Sequence, residues 1–154
     1  MTMSTSSPFT LREAKKGDEE ALYGLIKELA IYEKEPDAVI NTPEQLGKDL
    51  FEDKICKCIV LELEGKIVGM ALYYTSYSTW RGRCLYLEDF YIQPNYRRLG
   101  GGELLFNHLV ELAQQQGCKR MDWQVLAWNE PAINFYKKIN AELDPEWLNG
   151  RLYF

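Results

Sequence analysis

The sequence holds a single histidine, His108, and no Cys-x-x-Cys pair among its four cysteines. A histidine-rich metal centre is therefore excluded, no metal site is expected, and a Ser-His-Asp hydrolase is not indicated. Positive charge is also short: 18 Lys and Arg stand against 23 Asp and Glu, a formal charge of −5. That is the wrong sign for gripping a phosphate backbone, so nucleic acid is not an expected partner, whereas mild acidity suits a small cationic ligand. The longest apolar run, near Ile67 to Tyr74, falls far below the roughly 18 residues that span a bilayer, and the opening MTMSTSSPF has no basic-then-apolar signal pattern. No membrane partner is expected and a cytoplasmic setting follows, with Cys56, Cys58, Cys84 and Cys118 read as reduced, mostly packed thiols.

What is present is ordinary globular material. The 154 residues are 46% hydrophobic and 27% charged, enough for one core. Residues 1–8 read as a flexible leader and residues 9–154 as a single domain. Phe9 to Glu13 reads as a short strand. Gly17-Asp18 then turns into a helix whose Leu22, Leu25, Ile26 and Leu29 recur at helical spacing, leaving Glu19, Glu20, Lys27 and Glu28 wet. Thr42-Pro43-Glu44 starts a second helix, with Thr as cap and Leu46 and Leu50 beneath. Cys58–Leu63, the turn Glu64-Gly65 and Ile67–Tyr77 describe an antiparallel hairpin, and Arg83–Ile92 a third strand.

After Pro94 the run Arg97-Arg-Leu-Gly-Gly-Gly102 leads into a long helix with Leu105, Leu109 and Leu112, closed by Gly117. Arg120–Leu126 reads as another strand, Pro131–Lys138 as a short helix, and Ala141–Leu143 with Leu152–Phe154 as a closing pair. The order predicts a mixed α/β fold with a mainly antiparallel central sheet flanked by helices. A final strand ending at Phe154 would be a poorly protected edge, so pairing with a second copy is expected. His108 lies one helical step from Leu104 and Leu112 and reads as a helix-surface or satisfied histidine. Trp80, Trp123, Trp128 and Trp147 read as core or interface anchors, with Trp80 a candidate for the mouth of a substrate site.

The glycine run carries the first chemistry. Arg97-x-x-Gly100-x-Gly102 stands between a strand and a long helix, where unpaired N–H groups and the positive end of the helix dipole face outward. Glycines let a pyrophosphate approach the backbone, and Arg97 and Arg98 can add charge-assisted bonds; a plain left-handed turn after a proline suits the same six residues equally. A Walker A loop is excluded because Glu103-Leu104 follows the last glycine where Lys-Ser/Thr is required. The dinucleotide fingerprint is excluded because three antiparallel-looking strands precede the loop.

With this loop and element order the sequence resembles the GNAT N-acetyltransferase superfamily, whose acetyl-CoA loop has the form Arg/Gln-x-x-Gly-x-Gly/Ala. Tyr77-Ser-Thr-Trp-Arg-Gly-Arg83, Leu85-Tyr-Leu-Glu-Asp-Phe-Tyr91 and Trp128-Asn-Glu-Pro-Ala-Ile-Asn-Phe-Tyr136 are similar to the diamine (spermidine/spermine) N-acetyltransferase family, and the Tyr-Ser-Thr-Trp run resembles its thialysine-acetylating branch. The resemblance covers about residues 9–154. Arg98 and Gly101 depart from it where the family usually has Gly and an aliphatic residue, as does Glu103 where a small residue is common. The C-terminal tail is also shorter than usual.

The resemblance implies the acyl-CoA N-acyltransferase fold, acetyl-CoA as cosubstrate, and acetyl transfer to a primary amine of a diamine, polyamine or lysine-like amino acid. A non-catalytic acyl-CoA-binding module is the alternative. An alkylammonium with a pKa near 10.4 arrives charged at about pH 7, so a base is required, and the resemblance gives that role to Glu88. From the residues alone Phe135 and Tyr136 read as core aromatics; the resemblance instead makes Tyr136 the acid that protonates the departing thiolate. It implies cofactor contacts from the backbone of Phe90, Tyr91 and Ile92, from the loop Arg97, Arg98, Leu99, Gly100, Gly101, Gly102 and Glu103, and from Asn129, Glu130, Pro131 and Ala132, where Asn129 caps a helix beside Tyr136. Substrate contacts fall to Tyr32, Glu33, Glu88 and Trp80, carboxylates and aromatic faces that attract a cation. A homodimer is the expected assembly.

Overall fold

The computed structural model describes residues 7–154, so the first six positions of the expected leader lie outside the described residues. The chain divides into two units, one ending at Trp123 and one spanning Gln124–Phe154.

The first unit is built on a five-stranded sheet in sequence order: Phe9–Glu13 (β1), Lys57–Leu63 (β2), Lys66–Ser78 (β3), Gly82–Ile92 (β4) and Arg120–Asp122 (β5). Neighbouring strands are antiparallel except β4 and β5, which run parallel. A parallel pair cannot be joined by a hairpin, and the helix Gly101–Gln115 supplies the crossover. The mixed, mainly antiparallel architecture expected from the sequence is the one observed. β2 is buried at every position from Cys58 to Leu61, because Glu19–Tyr32 (α1) covers the Cys58 and Val60 face while the crossover helix lies against Leu61.

Local chemistry explains the helices. In α1, Leu22 and Leu25 are buried, each contributing roughly 1.5–3 kcal/mol of apolar transfer, and Ile26 and Leu29 pack against the same cluster. The helix Pro43–Gly47 (α2) is capped as its sequence predicts: Thr42 Oγ1 accepts from the Gln45 N–H at 3.1 Å, and Pro43 occupies the first turn. Lys48–Glu52 then widens into one π turn that keeps Leu50 buried. The crossover helix, Gly101–Gln115 (α3), buries Leu105, Phe106 and Leu109.

Several expectations are corrected. Glu19 and Glu28 are half-buried, not wet: Glu19 accepts from the Gly17 N–H at 3.0 Å, and Glu28 bonds to β4. The strand expected over Arg120–Leu126 stops at Asp122. In the second unit only Glu130–Lys138 (α4) is regular, and Ala141–Leu143 and Leu152–Phe154 form no strands. Pro145 and Gly150 interrupt that stretch, and without a ladder partner short apolar runs cannot satisfy their backbone as strands. Among the tryptophans Trp123 packs edge-on to Phe106 at 5.6 Å, whereas Trp80, Trp128 and Trp147 are exposed.

Candidate active site

β4 carries the site because its ladder is irregular twice. Against β3 the register runs Leu72↔Asp89 and then Tyr73↔Leu87, so Glu88 has no opposite residue and forms a β-bulge. Against β5 the pairing extends only from Cys84↔Arg120 to Tyr86↔Asp122. From Leu87 to Ile92 the β5-facing edge of β4 therefore has no strand ladder. Phe90, Tyr91 and Ile92 keep their pairs with Ala71, Met70 and Gly69 on the other side. An extended amide-bearing arm can pair with such an edge as a strand would. Gly69 is closely packed here: a Cβ would lie 2.6 Å from Ile92 Cδ1 and 3.0 Å from the Tyr91 carbonyl oxygen, so the Ile92 side chain would have to move.

Three carboxylates gather at the bulge. Glu88 is exposed and lies near Tyr74, whose pKa is pushed up by burial first and then by the Glu88 charge. Asp89, half-buried beside Leu72, has its pKa raised to about 7 by desolvation first and then by the charges of Glu88 and Glu33. Glu33, the C-cap of α1, is raised by burial. In Asp89 the folded value lies above the ordinary carboxylate value of 3.8, so its stabilising contribution is complete below about pH 4 and is lost as pH rises to about 7. Asp89→Asn is expected to leave stability near that of the parent at pH 4 and to raise it by up to about 3 kcal/mol at pH 8, allowing for solvent screening of a half-buried group. Urea unfolding at the two pH values measures this; an equal effect at both would contradict it.

The glycine run forms a tight left-handed entry to α3. Arg98 has φ +63 and Gly100, the N-cap, φ +89, a conformation that favours glycine. The first intrahelical bond runs from the Leu104 N–H to the Gly100 carbonyl at 3.1 Å, so the N–H groups of Gly101, Gly102 and Glu103 precede the helical ladder. A Cβ at Gly100 would meet nothing within 4 Å and one at Gly102 only Ile92 Cγ1 at 3.8 Å. There is thus open space beside these amides, as an anion cradle requires. Gly101 serves packing instead: a Cβ there would stand 2.8 Å from Leu61 Cδ2. Leu99 and Glu103 are exposed, and Glu103 in the first turn complements the helix dipole.

Arg97 is turned toward the strand. Its Nε donates to the Ile92 carbonyl at 2.7 Å, and its guanidinium lies 5.5 Å from the ring centre of Tyr32 and 5.3 Å from that of Tyr91. The Tyr91 hydroxyl donates to Glu28 Oε1 at 3.2 Å, and Gln93 Nε2 donates to Glu28 Oε2 at 3.0 Å. The structure thus brings Tyr32, Tyr91, Ile92 and Arg97 together, and Glu33, Glu88 and Asp89 together. Trp80 stands apart at the β3–β4 turn, 85% exposed.

In the second unit Asn129 caps α4 as expected, Oδ1 accepting from the Ala132 N–H at 3.4 Å, with Glu130 and Pro131 in the first turn. Tyr136 is the buried residue of this helix, its ring edge-on to Phe135 at 5.6 Å between centroids. Sequence reasoning missed Asp89, Tyr74, Glu28 and Gln93 as site groups. Two adjacent acids inside the apolar run Leu85–Ile92 were the available signal for Asp89. For the others nothing short of the bulge and the α1 placement identifies them.

Residues 20–141 match the acetyltransferase (GNAT) family. The chain is 42% identical over 141 residues to the thialysine N-epsilon-acetyltransferase of Bos taurus, covering 86% of this chain and 83% of that protein. It is 41% identical over 136 residues to the Caenorhabditis elegans protein of the same description, covering 86% and 84%. Among solved structures, AAC(6')-Iy in complex with the bisubstrate analog CoA-S-monomethyl-acetylneamine aligns with a TM-score of 0.77 at 17% identity, over 95% of this chain and 99% of that one, a likeness of fold.

Proposed function

The chain belongs to the acetyltransferase (GNAT) family, and from that premise we propose that it is an acetyl-CoA-dependent N-acetyltransferase acting on a primary amine of a small cationic substrate, with residues 9–154 as the catalytic domain. The observation that carries the substrate class is the carboxylate group at the β4 bulge, Glu33, Glu88 and Asp89, which attracts an ammonium. A bound cation beside Asp89 lowers its pKa, so amine binding near pH 7 releases a proton.

Acetyl-CoA supplies an activated acetyl group; the residues of this chain bind it and move protons. In this reading the amides of the Arg97–Glu103 loop, with Arg98 at its rim, and the turn Asn129, Glu130, Pro131 and Ala132 hold the cofactor. The β4 edge at Phe90, Tyr91 and Ile92 pairs with its extended arm. Tyr32 and Glu33 receive the amine, Glu88 takes the ammonium proton, and Tyr136 returns a proton to the departing thiolate. Thiol release over a panel of thialysine, short diamines, spermidine and spermine tests the reading. Amine-stimulated release is expected, and CoA binding without it would overturn the enzyme in favour of a binding module.

Within that panel thialysine and short diamines are expected to turn over better than spermine. Ser78 and Thr79 stand where the polyamine branch tends to carry an acid, so a long polycation loses one anchor. Direct competition measures the preference, and a clear spermine preference would refute it. The reading extends to a homodimer, supported by the exposed Trp147, Leu148, Leu152, Tyr153 and Phe154. Light scattering is expected to give twice the chain mass of 18.0 kDa at micromolar concentration. Four free cysteines support a reducing, cytoplasmic setting.

A further inference from the structure

We propose that Tyr32 is a positioning residue for the cofactor loop: together with Tyr91 it holds the Arg97 guanidinium against the Ile92 carbonyl, and so couples the amine end of α1 to the turn at Gly100. The proposal rests on the reading above that this loop takes acetyl-CoA.

The Arg97 Nε hydrogen is committed to the Ile92 carbonyl at 2.7 Å, and the guanidinium carbon lies 5.5 Å and 5.3 Å from the centres of the Tyr32 and Tyr91 rings. Two aromatic faces and one charge-assisted bond fix a planar cation in place, an arrangement that a lysine cannot reproduce. Tyr91 is itself pinned through its hydroxyl to Glu28, one helical turn before Tyr32, and Gln93 bonds to the other oxygen of the same carboxylate. The last turns of α1 thus grip the end of β4 at Tyr91 and the residue that follows the strand, Gln93.

Downstream the loop has few other restraints. The Tyr96 N–H reaches the Gln93 carbonyl at 3.0 Å and the Arg97 N–H the Pro94 carbonyl at 3.3 Å, after which Arg98 and Gly100 both adopt positive φ. The conformation that presents the α3 amides is therefore anchored at its entrance by Arg97. Whatever displaces Tyr32 displaces that anchor, and an amine resting against Tyr32 changes CoA affinity by the same factor that CoA changes amine affinity.

Titration calorimetry with CoA alone, in the absence of any amine, separates this role from simple substrate contact. Tyr32→Leu is expected to weaken CoA binding about three- to tenfold, and Tyr32→Phe, which keeps the ring, to stay within about twofold of the parent. Arg97→Lys keeps the charge but loses the planar fork, and is expected to weaken CoA binding as Tyr32→Leu does, with the double variant little worse than either. The proposal is overturned if Tyr32→Leu binds CoA like the parent while its amine KM rises, or if Arg97→Lys retains full affinity, which would mark Arg97 as a charge for phosphate. Failure of the parent chain itself to bind CoA would instead overturn the acetyltransferase reading, and this proposal with it.

Discussion

Tyr136→Phe is expected to lower kcat by about 10²- to 10⁴-fold while leaving KM for acetyl-CoA nearly unchanged, the ordinary range for removal of a general acid. Such a loss corresponds to about 3–5 kcal/mol of barrier. The substitution removes one oxygen and keeps the ring, so the edge-on contact with Phe135 and the burial of this α4 side chain persist. Steady-state kinetics with a thiol-detecting assay decide the matter. Should kcat remain within about threefold while CoA affinity collapses, Tyr136 is a packing residue, and the thiolate departs without protonation from it.

Glu88→Gln is expected to cost a comparable factor, about 10²- to 10⁴-fold in kcat/KM for the amine near pH 7, and the loss should shrink as pH rises toward the amine's own pKa of about 10.4. The sign follows from the proton to be moved. At neutral pH nearly every substrate molecule is an ammonium that must surrender a proton inside the site, whereas at high pH the free amine is already abundant. Glutamine matches glutamate in size and fits the bulge that Glu88 occupies, so the perturbation falls on basicity more than on shape. Rates with thialysine from pH 7 to pH 10 give the ratio of parent to variant. A ratio that is constant over that range would assign Glu88 to substrate attraction and leave the base to be sought elsewhere.

Much of this arrangement was legible in the sequence because it rests on local chemistry. Thr42-Pro43 announces a capped helix start, the Leu22 and Leu25 spacing announces a buried face, and both are found as read. The hairpin and third strand emerge within about a residue of their expected bounds, since apolar runs bounded by Gly65 and Gly82 leave little freedom. The glycine run was legible as a cradle but not in its internal division, because only the packing of Leu61 and Phe9 against Gly101 shows which glycine faces inward. Strand length failed where it depends on partners: β5 stops when its ladder with β4 stops, and no propensity within Arg120–Leu126 marks that point. The partners of Glu28 were beyond reach for the same reason, as Tyr91 and Gln93 lie more than sixty positions away along the chain.

The bulge at Glu88 also settles a question of parity. Along a regular strand successive side chains alternate, so inserting one residue exchanges the faces of everything beyond it. If β4 paired with β3 without interruption after Tyr73↔Leu87, the residue opposite Leu72 would be Glu88, and Asp89 would fall opposite Ala71. The longer acid would then sit beside the core leucine and the shorter one would take the other face. Two neighbouring carboxylates with almost the same intrinsic acidity are told apart by a count of one. Deleting Glu88 would therefore straighten the ladder while leaving Asp89 opposite Leu72 and Phe90 opposite Ala71: the desolvated acid would stay where it is, and the one that meets solvent would be lost.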